Sequence, residues 1–124
     1  TSSATLAPMP LVAAYTASKT AIEGFTASLA HELAEFDVRV KLVEPGYGPT
    51  TRFTSNTGTS PERLIPAAYA PLAQRVFAAI ARPAAVTTEL DVAEAVYRAA
   101  TDTTGHLHFP AGADAVALAS ARSA

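Results

Sequence analysis

Tyr15-Thr16-Ala17-Ser18-Lys19 is the stretch from which the rest of the chain is read. Side chains at i and i+4 lie on one face of a helix, so a helical segment here sets the Lys19 ammonium beside the Tyr15 ring. An ammonium about 4 Å from a phenolate oxygen stabilises the anion by roughly 4 kcal/mol at an effective dielectric of ~20. A phenol, which ordinarily titrates near pH ~10, then becomes able to exchange its proton during catalysis. A surface helix that merely carries a tyrosine and a lysine satisfies the same spacing, so the flanking sequence decides between the two.

Upstream stands Thr1-Ser2-Ser3, followed by a loop containing Pro8 and Pro10; downstream, after one helix and one strand, comes Pro45-Gly46-Tyr47-Gly48-Pro49-Thr50. With these three elements in this order the sequence resembles the short-chain dehydrogenase/reductase family. Members carry a serine thirteen residues before a Y-x-x-x-K tyrosine and end the next strand in P-G-x-x-x-T. Ser2 stands thirteen residues before Tyr15, Thr50 closes the pattern that Pro45 begins, and Ser3, at twelve, is the competing serine.

The resemblance implies an α/β fold, the C-terminal part of a Rossmann-like doubly wound parallel sheet. The glycine-rich T-G-x-x-x-G-x-G turn that holds the cofactor pyrophosphate in the family is not in this sequence, nor is its N-N-A-G segment. The N-terminal βαβ cofactor half is therefore expected to be absent, and residues 1–124 to form the catalytic and substrate-loop half of one NAD(P)-binding domain in a longer protein. By the same resemblance Ser2 holds and polarises the substrate oxygen, Tyr15 is the acid/base, and Lys19 supports Tyr15 while bonding the nicotinamide ribose. Pro45, Gly46, Gly48 and Thr50 form the turn against the nicotinamide, with the Gly48 main chain and the Thr50 hydroxyl on its carboxamide. Gly48 stands where the family usually has Val or Ile, and Pro49 follows it, so a main-chain contact survives there better than a side-chain one. The implied cofactor is NAD or NADP and the implied substrate a carbonyl or alcohol.

Composition narrows the class. The 124 residues are 49% hydrophobic, enough for a core, and the net charge of −2 argues against a nucleic-acid partner. Cysteine is absent, which excludes disulfides and thiolate metal sites. No uninterrupted apolar run approaches the ~18 residues of a spanning helix, so no membrane partner is expected. A cytoplasmic enzyme is the expectation.

In chain order, residues 4–12 read as a loop, because Pro8 and Pro10 suit neither a helix interior nor a central strand. From Ala13 to Phe36 the set Ile22, Phe25, Leu29, Leu33 and Phe36 recurs at helical intervals. A second stripe of small residues, Ala17, Ala21, Gly24 and Ser28, follows the same period. It suits close approach of another helix, either within the chain or across the homo-oligomer interface that the family resemblance implies. Asp37 breaks the helix, and Val38 to Val43 reads as a strand ended by Glu44-Pro45-Gly46. In open parallel sheets ligands bind beyond the carboxyl ends of strands, where this turn projects.

Residues 51–61 are polar and aperiodic, then Pro61 opens a helical stretch broken by Pro66 and Pro71. Its position corresponds to the substrate flap of the family it resembles, with Phe53, Leu64, Ile65 and Tyr69 as either an apolar lid or buried anchors, which look alike in sequence. Leu72, Val76, Phe77 and Ile80 continue a helical face. Thr88 with Asp91 forms a variant capping box before a helix bearing Val92, Ala95, Val96 and Ala99. His106 to Phe109 is a short strand, and Ala111-Gly112-Ala113-Asp114-Ala115 leads into a final alanine-rich helix.

His106 and His108 alternate along that strand, but His31 is distant and no carboxylate stands near them at ligand spacing, so no metal site is expected. Glu32, Glu35, Glu89, Asp91 and Glu94 are read as solvated helix residues, and Arg39 and Lys41 as surface or interface charge. The reading from a different class is a non-catalytic remnant that acts as an interaction module through the helix from Ala13 to Phe36.

Overall fold

The computed structural model describes residues 1–124, apart from the side chain of Pro61. Five helices and two strands follow one another as α1 (Ala13–Ala34), β1 (Leu42–Pro45), α2 (Pro61–Leu64), α3 (Ala70–Ile80), α4 (Glu89–Thr101), β2 (His108–Ala111) and α5 (Ala113–Ser123). Single 3-10 turns at Ser3–Thr5, Ser55–Thr57 and Ala67–Tyr69 punctuate the loops.

β1 and β2 are parallel and in register from Leu42 opposite His108 to Pro45 opposite Ala111. Parallel neighbours need a crossover, and α4 supplies it, packing against both strands. Ala95 and Ala99, one turn apart, are buried on its inner face, and their small side chains let the helix sit close to the sheet. Val92 is half-buried beside them, while Val96 is half exposed and turns off the expected face. The start of α4 is fixed as its sequence predicts: Thr88 and Asp91 form a reciprocal capping box, and the bonds from Thr88 hold the Asp91 carboxyl below its ordinary titration range.

This α/β arrangement, a parallel pair with a helical crossover, is part of a Rossmann-like doubly wound sheet. Leu42 and Gly46 donate toward β2, to Leu107 and Ala111. Val43 falls between them in the alternation and faces the other edge, where its carbonyl accepts from the Thr1 nitrogen at 3.1 Å. Thr1 thus extends the sheet by one hydrogen bond on the side opposite β2. Pro45 and Pro110 also fall at positions facing away from the β1–β2 ladder, so neither missing N–H breaks it.

Both strands lie further along the chain than their sequence patterns suggest. Val38 to Lys41 has the strand pattern but no strand opposite it. Instead the Val38 N–H closes back on Leu33 O at 3.1 Å, around Asp37 in the left-handed conformation (φ 55°), and terminates α1. Lys41 is no surface charge: its ammonium meets Asp102 at 2.6 Å and the His106 carbonyl at 2.7 Å, both acid and base being largely buried. His106 therefore lies in the connection before β2, and the expected strand over His106–Phe109 begins only at His108.

α3 opens with Pro71 in its first turn, where a missing N–H costs nothing, so this proline starts a helix and does not break one. α1 buries none of its residues. Phe25 on it and Phe36 just beyond its end are 68% and 76% exposed, and the small stripe at Ala17, Ala21, Gly24 and Ser28 is exposed as well. No helix among the described residues is long and apolar enough to cross a membrane.

Candidate active site

The Pro-Gly turn that leaves β1 is held from the far end of the chain. Gly46 N–H donates to Ala111 O at 3.1 Å, Tyr47 N–H to Asp114 Oδ2 at 2.7 Å, and Thr87 N–H to Tyr47 O at 2.7 Å. The buried Thr87 hydroxyl lies 2.6 Å from Asp114 Oδ1 and 3.0 Å from Ala111 O. Any side chain at Gly46 would overlap the Asp114 carboxylate, and one at Gly112, where φ is 94°, would overlap Thr87. Glycine is thus required at both positions, by close approach at the first and by approach and conformation at the second. Thr87 carries no sequence signal of this role. Asp114 stands in the Gly-Ala-Asp-Ala run that opens α5, but its link to residue 47 is visible only in three dimensions.

Tyr15 and Lys19 occupy the first two turns of α1, both half-buried. Lys19 Nζ lies 5.4 Å from the centroid of the Tyr15 ring, in cation–π contact. It makes no hydrogen bond or ion pair among the described residues. The Tyr15 ring also meets the edge of Phe53, with centroids 5.8 Å apart and planes at 75°. The flap residue expected in a lid is therefore in contact with the expected acid/base. Leu11, Ala14, Leu64, Ile65, Tyr69 and Leu72 line an open, mostly apolar groove of about 400 Å3 between the start of α1 and the flap.

Ser2 is buried and its Oγ accepts the Ala4 N–H at 3.2 Å, as the cap of the first 3-10 turn, while Ser3 lies inside that turn and spends its carbonyl on Leu6 and Ala7. The turn is tied to α1 because Glu23 accepts hydroxyl bonds from Thr1 at 2.9 Å and Thr5 at 2.6 Å. Gly48 O takes the Thr51 hydroxyl at 2.7 Å. Thr50 does not present a free hydroxyl: it donates to the Glu89 carboxylate at 3.0–3.1 Å, so Glu89 is a partner of the turn as well as a helix-start residue.

The expectation that no carboxylate lies near the histidines is corrected by the fold. His108 Nδ1 is 2.7 Å from Glu44 Oε1, because β1 and β2 pair in register. Glu23 reaches the same place from α1. These three residues are 21 to 85 positions apart in sequence, so spacing along the chain could not reveal them.

Residues 1–61 match the family model described as short chain dehydrogenase. That span holds Ser2, Tyr15, Lys19 and the whole Pro45–Thr50 turn. Two curated proteins of Schizosaccharomyces pombe, both described as uncharacterized oxidoreductases, are each 32% identical to the chain over 104 residues. The aligned region is 83% of this chain and 42% of each relative, so the chain spans less than half the length of the relatives it matches. No solved structure matches it significantly.

Proposed function

The chain belongs to the short-chain dehydrogenase/reductase family, and on that premise we propose that the whole protein is an NAD(P)-dependent oxidoreductase interconverting a carbonyl and a secondary alcohol. The observation that carries this reading is Lys19, a half-buried residue whose ammonium stands over the Tyr15 ring without an acceptor among the described residues. An ammonium brings three donors, and the hydroxyls of a nicotinamide ribose are suitable acceptors. Residues 1–124 are, in this proposal, the catalytic and substrate-loop half of one NAD(P)-binding domain.

Bound, the nicotinamide supplies or takes up the hydride. In the reducing direction the Ser2 hydroxyl, its oxygen oriented by the Ala4 N–H, donates to the substrate carbonyl oxygen. Tyr15 passes its phenolic proton to that oxygen, and the Lys19 ammonium stabilises the phenolate left behind. For alcohol oxidation the roles reverse. Pro45 and Gly46 set the turn, and the Gly48 main chain and Thr50 hydroxyl hold the carboxamide once Thr50 turns from Glu89. The apolar groove and Phe53 take the carbon skeleton of the substrate, so the flap from Thr51 to Tyr69 sets the substrate range. The exposed stripe of α1 provides the contact with a second copy.

Titration of the whole protein with NADH and NADPH, followed by their fluorescence, tests the reading. Saturable binding of one of them, with loss of the reduced-nicotinamide absorbance on adding ketones or aldehydes, is expected; binding of neither contradicts it.

A further inference from the structure

Glu44 is the largest side chain buried essentially completely in this chain, at 1% exposure, and only one of its two carboxylate oxygens is bonded. Oε1 meets His108, whereas Oε2 is fully shielded and has no hydrogen-bond partner among the described residues. A buried carboxylate oxygen left unbonded is costly and calls for a ligand. Beside it stands a second carboxylate: one ligand atom each from Glu23, Glu44 and His108 lie within 4.8 Å of one another. Two acids so close repel, and the His108 imidazole stands with them.

We propose that Glu23, Glu44 and His108 form a structural site for a divalent transition-metal ion. One nitrogen and two carboxylate oxygens are a borderline donor set, suited to Zn2+ or Mn2+ more than to Mg2+ or Ca2+, which favour all-oxygen shells. A dication offsets the two acids and binds a carboxylate, that of Glu44, which still has an unbonded oxygen. The proton between His108 Nδ1 and Glu44 Oε1 is released, or moves to Nε2, as the ion takes its place. The His108 side chain is 54% exposed, which leaves a route of entry from solvent. The three ligands come from β2, β1 and α1, so the ion cross-links the sheet to the helix that carries Tyr15 and Lys19. Thr1 and Thr5 already donate to Glu23 and flank Ser2, and act as outer-shell partners that fix its carboxylate. The ion does not enter the hydride chemistry proposed above, and its binding is measured independently of turnover.

The test is isothermal titration of the whole protein, freed of tags and stripped with chelator, with ZnCl2, MnCl2 and MgCl2, beside thermal melts with and without each ion. One Zn2+ or Mn2+ per chain should bind with a raised melting temperature, and Mg2+ should bind much more weakly. His108→Ala leaves the buried Glu44 without its one partner, so its melting transition is checked first, with His108→Gln beside it to keep a hydrogen-bonding group there; either change should weaken Zn2+ by about 100-fold, the upper end of the ~10–100-fold seen for losing an outer-shell partner. Glu44→Gln should act similarly if it folds, while His106→Ala should change nothing. Absence of saturable binding, or Zn2+ binding left intact by His108→Ala, would overturn the proposal.

Discussion

Asp114 occupies the space into which any side chain at Gly46 would project, and from there its carboxylate takes the Tyr47 N–H at 2.7 Å. The first turn of the last helix therefore sets the path of the turn proposed to meet the nicotinamide. Gly46→Ala must push Asp114 aside and break its bonds to Tyr47 and Thr87. A loss of about 1–3 kcal/mol in stability is expected, read as a shifted urea midpoint. Asp114→Ala leaves the Tyr47 N–H and the buried Thr87 hydroxyl without their acceptor, again at about 1–3 kcal/mol. It should raise the KM for cofactor more than it lowers kcat. An unchanged cofactor KM would show that the clamp is structural only.

Phe53 tests the flap. It is 60% exposed and its ring forms a T-shaped pair with that of Tyr15. An aromatic pair of this kind is worth about 0.5–1.5 kcal/mol, so Phe53→Ala should leave the melting temperature nearly unchanged while raising the KM for apolar carbonyl substrates several-fold. Exchanging residues 51–69 with those of a relative should alter the substrate range without altering the preference between NAD and NADP. A swap that moved only the cofactor preference would refute the role of the flap.

Acid should loosen the junction between β1 and the end of α4. The Lys41 ammonium, with the Thr104 hydroxyl, holds the Asp102 carboxyl far below its ordinary value of 3.8. Because the folded value is depressed, the stabilisation is complete above that ordinary value and is lost as pH falls below it toward the folded value. Asp102→Asn should therefore lower stability at neutral pH and flatten the decline between pH 4 and the acid limit, measured by urea titrations across that range. A variant with the same pH profile as the parent would remove Asp102 from the account.

Residues 1–124 by themselves leave large apolar side chains bare: Phe25, Phe36, Leu64, Leu90 and Tyr97 are each at least 67% exposed. Exposed apolar surface on this scale drives association. Expressed alone, the 124 residues should sediment as oligomers or aggregates and bind neither NADH nor NADPH tightly. A sharply melting monomer that bound either would show that these faces need no cover.

Two helix ends were legible in the sequence because they carry local punctuation: Asp37 ends α1 and the Thr88/Asp91 box starts α4. Pro71 misled, since it reads as a break but stands in the first turn of α3, where a missing N–H costs nothing. The strands were legible in number and order but not in position, since Val38 to Lys41 has strand composition yet only residues that find a partner become sheet. The closeness of Tyr15 to Lys19 and the turn at Pro45–Thr50 were legible because each follows from short-range spacing. What the sequence hid are contacts across 21 to 85 residues: Thr50 with Glu89, Tyr47 with Asp114, Glu44 with His108, and Glu23 joining the last pair. Short-range spacing carries no trace of them, and the side chains involved pass as ordinary surface charges until the parallel pairing of β1 and β2 brings them together.

The central claim is that the Tyr15 hydroxyl is the group that gives the substrate its proton. The direct measurement is the rate of carbonyl reduction by the Tyr15→Phe variant of the whole protein across the accessible pH range, alongside its affinity for reduced cofactor. Loss of turnover by about 100-fold or more, within the ~10²–10⁴-fold contributed by a positioned acid, with cofactor affinity and melting temperature nearly unchanged, is the predicted result. A variant that kept a large fraction of the parent rate at every pH would contradict the account.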